Sequence, residues 1–68
     1  MTLQVNGEPT QVAAGAGVLD VLALQGLGSG NRGIAVAVNG EVVPRQEWDE
    51  RPLVDGDAVE VLVAVQGG

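Results

Sequence analysis

Val5-Asn6-Gly7-Glu8 recurs as Val38-Asn39-Gly40-Glu41, and this tetrapeptide organises the chain. Asn-Gly accepts the positive φ angles that both central residues of a type I′ turn require, and that turn matches the twist of two antiparallel strands. Each copy follows a short apolar stretch, so each is read as the bend of a β-hairpin. The first hairpin is expected to pair residues 3–5 with a strand around 11–13. The second pairs 34–38 with 41–43, where Pro44 removes a donor and ends the ladder. The residues between the two copies share no pattern, so the duplication is not a repeat array.

Between the hairpins, Leu19, Leu22 and Ala23 recur at helical spacing, which predicts one helix over residues 18–25. Gly17 serves as N-cap, Asp20 suits the positive end of the helix dipole, and Gly26 followed by Leu27 fits a C-terminal stop. About two turns of helix are too short to stand on propensity and must be held by packing. After the turn Asp55-Gly56-Asp57, Val59, Val61, Val63 and Val65 alternate with Ala58, Glu60, Leu62 and Ala64, the period of a strand. The order is β-β-α-β-β-β, an α+β domain in which one helix can cover one face of a sheet of about five strands. Strand order is left open.

Composition narrows the function. The chain has 68 residues with no cysteine, histidine, tyrosine or phenylalanine, and lysine is absent as well. Disulfides, thiolate nucleophiles, the commonest zinc ligands, a Schiff-base amine and most aromatic platforms for bases are thereby lost. A self-contained enzyme is disfavoured; neither catalytic nor metal-binding residues are assigned. Nine acids against three arginines give a net charge of −6, which repels a phosphate backbone. The opening MTLQVNGEPT lacks the basic and apolar regions of a secretory signal, and no apolar run approaches the ~20 residues that span a bilayer. The expectation is a cytoplasmic protein without nucleic-acid or membrane partners, monomeric when free.

Several local patterns invite sharper readings. Gly28-Ser29-Gly30-Asn31-Arg32-Gly33 matches G-x-G-x-x-G, but a dinucleotide site places those glycines after a strand and before a helix. Here the order is reversed, so the segment is read as a connector. Asp55 and Asp57 lack the further acid of a calcium loop and are read as a turn. Trp48, among Glu47, Asp49 and Glu50, is read as an indole closing one edge of the core, with a partner contact as the alternative. Ala35, Ala37, Leu62 and Ala64 would lie on the sheet face that a single helix leaves open. They are either a partner-binding surface or an ordinary scatter of small residues.

The sequence ends Ala64-Val65-Gln66-Gly67-Gly68. If the strand stops near Val65, three further residues reach about 10 Å at ~3.4 Å each. Without Cβ atoms, Gly67 and Gly68 can enter a slot closed to other residues, and the carboxyl carbon of Gly68 is unobstructed. An α-carboxyl with a pKa near ~3.5 is an anion and a poor electrophile, so another protein must activate it. A mixed anhydride with AMP supplies the leaving group that a sulfur or nitrogen nucleophile then displaces. The expected division is a domain over residues 1–65 and a flexible tail over 66–68.

With VNGE near the start, VLDVLALQGL, AVAVNGEVVPRQEW and LVDGDAVEVLVAVQGG, the chain resembles the ThiS family, the sulfur carriers of thiamine thiazole biosynthesis. The resemblance runs through nearly the whole chain, and VPRxxW with DGDxVExxxAVQGG is specific in combination. It implies a ubiquitin-like β-grasp fold, a mixed sheet wrapping one helix with the first and last strands adjacent and parallel. It further implies that a ubiquitin-activating-like adenylyltransferase of the ThiF type uses ATP and magnesium to adenylate Gly68. Sulfur from a cysteine-derived donor enzyme then makes a thiocarboxylate, and thiazole synthase of the ThiG type accepts it. Val65, Gln66 and Gly67 map onto the tail that enters the partner's active site. The chain departs from the family pattern at Gly17, where Thr or Ser is common, and in the loose GLGSGNRG connector. Related readings are a thiocarboxylate carrier resembling the small subunit of molybdopterin synthase and a ubiquitin-like modifier of target lysines. A plain interaction module is a further alternative.

Overall fold

The computed structural model describes residues 1–28 and 33–64. Its elements are β1 (Thr2–Val5), β2 (Glu8–Gln11), α1 (Val18–Leu24), β3 (Ile34–Val38), β4 (Glu41–Val42) and β5 (Ala58–Val63), with a 3₁₀ turn at Arg45–Glu47. The sheet order is β2-β1-β5-β3-β4. β5 lies at the centre, parallel to β1 and antiparallel to β3, while each hairpin is antiparallel. The mixed sheet and the adjacency of first and last strands are as the resemblance implied.

Both hairpins turn on two residues, Asn6-Gly7 and Asn39-Gly40, with φ of +50° and +84° in the first and +52° and +85° in the second. That tightness corrects one expectation. A two-residue loop obliges the returning strand to begin at once, so Val5 faces Glu8 and β2 runs Glu8–Gln11, ahead of the expected 11–13. Pairing carries on as far as Val12, whose N–H donates to the Met1 carbonyl at 2.9 Å and whose own carbonyl accepts from the Met1 ammonium at 2.8 Å. β4 ends at Val42, yet Val43 still donates to the Val36 carbonyl at 2.8 Å before Pro44 closes the ladder.

α1 starts at Gly17, whose N–H donates to Asp20 Oδ2 at 2.8 Å. It stops in a Schellman closure: Leu27 donates to Leu22 at 2.8 Å, Gly26 donates to Ala23 at 3.0 Å, and Gly26 takes φ +76°. The buried face is Val18, Val21 and Leu22, with Leu19 half-buried and Ala23 exposed. It is therefore rotated from the expected Leu19, Leu22, Ala23 stripe. The docking of the helix start explains the rotation: Gly17 bridges to Pro52, and Leu53 donates to the Ala16 carbonyl at 3.1 Å. The departure at Gly17 has a cause in the same contact, because a Cβ there would lie 3.0 Å from the Arg51 carbonyl oxygen.

The core joins Leu3 and Val5 of β1, the helix residues, Val36 and Val38 of β3, Val59 and Val61 of β5, and Val43, Trp48 and Leu53 from the connections. Each fully buried Val or Leu contributes about 1.5–3 kcal/mol, which a chain this short needs from nearly every apolar position. The expected valine stripe of β5 breaks at Val63, which is 51% exposed. A seven-residue helix is only about 10 Å long and leaves that end of the strand uncovered. Trp48 is 3% exposed and its Nε1 donates to the Val43 carbonyl at 2.9 Å, which places it in the core. The Arg45 guanidinium lies over its ring, 4.7 Å from the centroid, in cation–π contact.

Candidate functional site

The last described residue, Ala64, comes directly after β5, so this central strand is the base from which residues 65–68 depart. Val65, Gln66, Gly67 and Gly68, the expected tail, lie outside the described residues. What the structure describes is how the base is held.

On one side β3 pairs with β5 through its whole length, from Val38 opposite Val59 to Ile34 opposite Val63. The pairing continues with Ala64 donating to Gly33 at 2.7 Å. Gly33 has φ +72°, and a Cβ on it would stand 3.2 Å from the Ala64 Cβ. The last glycine of the G-x-G-x-x-G string is thus accounted for by a turn into β3 and a close pass to β5. Ser29, Gly30, Asn31 and Arg32 of that string lie outside the described residues.

On the other side β1 pairs with β5 only at Gln4 opposite Ala58 and Val5 opposite Val59. The ladder is extended at both ends by side chains. At its start, Asp55 Oδ1 accepts the Thr2 N–H at 2.8 Å and Gly56 donates to the Thr2 carbonyl at 2.8 Å. Asp57 Oδ2 accepts the Val54 N–H at 2.9 Å, so both aspartates are turn residues. At its end, Asn6 donates its N–H to Val59 at 2.9 Å and then turns away at φ +50°. Its side chain takes over: Oδ1 accepts the Val61 N–H at 2.8 Å and Nδ2 donates to the Val61 carbonyl at 3.3 Å. In a regular parallel ladder the next acceptor would be the carbonyl of Asn6 itself, and the amide stands in for that peptide unit.

Asn39 treats the start of the same strand in a related way. Its N–H donates to Ala58 at 2.7 Å, its Oδ1 accepts the Ala58 N–H at 2.9 Å, and its Nδ2 donates to Asp57 Oδ1 at 2.9 Å. The φ angles of the two turns account for both asparagines in the sequence, and the structure adds a second role for their amides. The available signal was that both strand ends carry Asn, whose side chain substitutes for a peptide group, where Asp or Gly would also turn.

The face opposite the helix carries Ala35 and Leu62, which are register partners and both exposed, with Ala37 half-buried and Ala64 exposed. Leu62 is 66% exposed. Val42 joins them from β4 at 75% exposed, opposite Ala37, and was not anticipated. Glu60 lies among them on β5, paired with Ala37. The four expected residues are brought together beside the end of β5, whereas Trp48 and its flanking acids sit apart from this face. Among the described residues, no three His, Cys, Asp or Glu side chains cluster to hold a metal, and no helix is long and apolar enough to cross a membrane.

Five strands in the order β2-β1-β5-β3-β4 around one helix constitute the ubiquitin-like β-grasp fold. The sequence pattern of the ThiS family matches residues 3–68, and the chain belongs to that family. The sulfur carrier protein ThiS of Escherichia coli (strain K12) is 32% identical over 68 residues, covering all of both chains. That of Thermus thermophilus is 41% identical over 64 residues, 94% of this chain and 95% of the relative. The crystal structure of the thiamine biosynthesis protein ThiS from Geobacter metallireducens superposes with a TM-score of 0.80 at 37% identity, covering both chains fully. A solution NMR structure of a thiamine biosynthesis protein from that organism gives the same TM-score and identity, with 88% of its chain covered.

Proposed function

We propose that this chain is a sulfur carrier of thiamine biosynthesis and that the carboxylate of Gly68 is the carrier group. The observation that bears most weight is the family match, which extends to Gly68, together with an Escherichia coli sulfur carrier matched from end to end. In this reading residues 1–65 are the folded base and 66–68 the tail, with Val65, Gln66 and Gly67 entering a partner's active site. The chain acts in the cytoplasm as a co-substrate, consumed and regenerated, rather than as a catalyst.

The chemistry stems from the acidity of a terminal carboxyl. The carboxylate oxygen attacks the α-phosphorus of ATP in a ThiF-type adenylyltransferase, pyrophosphate leaves, and magnesium offsets the phosphate charge. Cysteine-derived sulfur, released by a donor enzyme at the sulfide level, then attacks the acyl carbon as HS⁻, expels AMP and loses its proton, leaving a thiocarboxylate that a ThiG-type thiazole synthase accepts. The open face with Ala35, Ala37, Leu62 and Ala64, enlarged by Val42, serves as the docking surface for these partners. Its apolar character beside the end of β5 supports that reading.

The test is the intact mass after incubation with ATP, magnesium, the activating enzyme and a sulfur source. Exchange of one oxygen for sulfur at the activated acyl carbon adds about 16 Da. An unchanged mass, or a mass showing the chain joined to a target amine, rejects the carrier reading. Replacement of Gly68 by a bulky residue is expected to abolish the gain while leaving the circular dichroism of the domain intact.

A further inference from the structure

We propose that Asn6 is a positioning residue for sulfur loading, because its side-chain amide fixes the C-terminal half of β5 on the flank that β1 leaves uncovered. The inference rests on the carrier reading above. Beyond Val59 no residue of β1 pairs with β5, and the Asn6 amide is what engages both main-chain polar groups of Val61. Val63 is the next residue whose main chain points to that flank, and β1 offers it no ladder partner. The amide of Asn6 is therefore the last anchor among the described residues on that flank before the chain continues into residues 65–68.

An acyl carbon must be delivered to a nucleotide within a few tenths of an ångström of the productive geometry, and each further residue released from the strand must be ordered before reaction. A strand that opens at Val61 releases the described residues beyond it, Leu62, Val63 and Ala64, and each must be ordered again. Asn39 supplies the matched control. It grips the same strand through a similar number of bonds, but at Ala58, at the opposite end from the tail.

The experiment compares Asn6→Gly with Asn39→Gly in full-length chains, both glycines keeping the positive φ while deleting the amide. Loading is followed by mass as the thiocarboxylate forms, with temperature set well below both unfolding midpoints. In Asn6→Gly, kcat/KM for loading is expected to fall about tenfold, against less than about twofold in Asn39→Gly. Asn6→Asp, which keeps the acceptor for the Val61 N–H, falls between and keeps the measurement informative should the glycine variant fold poorly. Hydrogen exchange at the Val61 amide accelerates in Asn6→Gly and not in Asn39→Gly. Equal losses in the two glycine variants, or unimpaired loading in Asn6→Gly, would overturn the proposal. A parent chain that never gains sulfur rejects the carrier reading itself, a failure distinct from these.

Discussion

The two copies of Val-Asn-Gly-Glu have the same sequence and nearly the same backbone, yet they grip the central strand at different heights. Asn39 ends β3, which runs antiparallel to β5, so its amide meets β5 at its start, at Ala58 and Asp57. Asn6 ends β1, which runs parallel to β5, so its amide meets β5 further along, at Val61. Strand direction, which no local sequence encodes, assigns one asparagine to the start of β5 and the other to its C-terminal half. An identical motif thus acquires two roles from topology alone.

The hairpins also differ in how firmly their returning strands are tied to the core, and breaking that difference has the largest expected effect. β2 has no buried residue, whereas the second hairpin continues through Val43 into the loop that returns Trp48 to the core. Trp48→Ala should cost about 3–5 kcal/mol in transfer and cavity terms. Against a total of roughly 3–10 kcal/mol for a domain of this length, that removes most or all of the folded population. Urea denaturation followed by far-UV circular dichroism measures it. A loss below about 1 kcal/mol would show that the second hairpin is no better anchored than the first.

The amides come next. Asn6→Gly and Asn39→Gly each delete two hydrogen bonds without straining the backbone, and each should lower stability by about 1–2 kcal/mol. The two losses should be similar, while amide exchange separates them, at Val61 in one variant and Ala58 in the other. Exchange that accelerates equally at both sites in either variant would mean that the two clamps are a single cooperative unit.

These expectations also mark what was legible in the sequence. Both turns, the helix, the β3–β4 hairpin and β5 could be read from φ tolerance and from periods of 2 and 3.6. The identity of the buried helix face could not, because it depends on Gly17 docking against the Arg51 carbonyl, thirty-four positions away in sequence. The start of β2 was misplaced because β2 is a polar edge strand, Glu8-Pro9-Thr10-Gln11, and carries no alternation to read. Only the geometry of the turn fixes it. Of the candidate site, the open face could be read from the alternation of Ala35, Ala37, Leu62 and Ala64 with buried valines. Asn6 could not, since its contact with Val61 spans 55 positions and exists only once β1 and β5 lie parallel.

A smaller effect tests whether the turns themselves are equivalent. Gly7 and Gly40 have φ of +84° and +85°, and a Cβ at either would meet nothing within 4 Å. Gly7→Ala and Gly40→Ala therefore differ from the parent only in backbone strain, about 1 kcal/mol each. The two unfolding free energies should agree within about 0.5 kcal/mol. A clear inequality would place an unrecognised contact in one turn.

The smallest effect is the pH dependence of exchanging each amide for a carboxyl, and here the two turns should separate again. Asn39→Asp puts an oxygen where Nδ2 now donates to Asp57 Oδ1 at 2.9 Å, so two carboxylates face each other. Like charges at that distance disfavour joint ionisation, which raises the apparent folded-state pKa of the pair in the variant above its unfolded value. The resulting destabilisation is present where both groups are ionised and is relieved as pH falls through the carboxylate range, when one proton shared by the pair restores a donor. Solvent screening at an exposed pair holds this component to about 0.5–1 kcal/mol. Asn6→Asp instead faces the Val61 carbonyl, a dipole that does not titrate, while its other oxygen still accepts the Val61 N–H. Its stability deficit should change less between pH 7 and about pH 4 than that of Asn39→Asp. Parallel deficits across that range would mean that Asp57 is not the partner that distinguishes the second turn from the first.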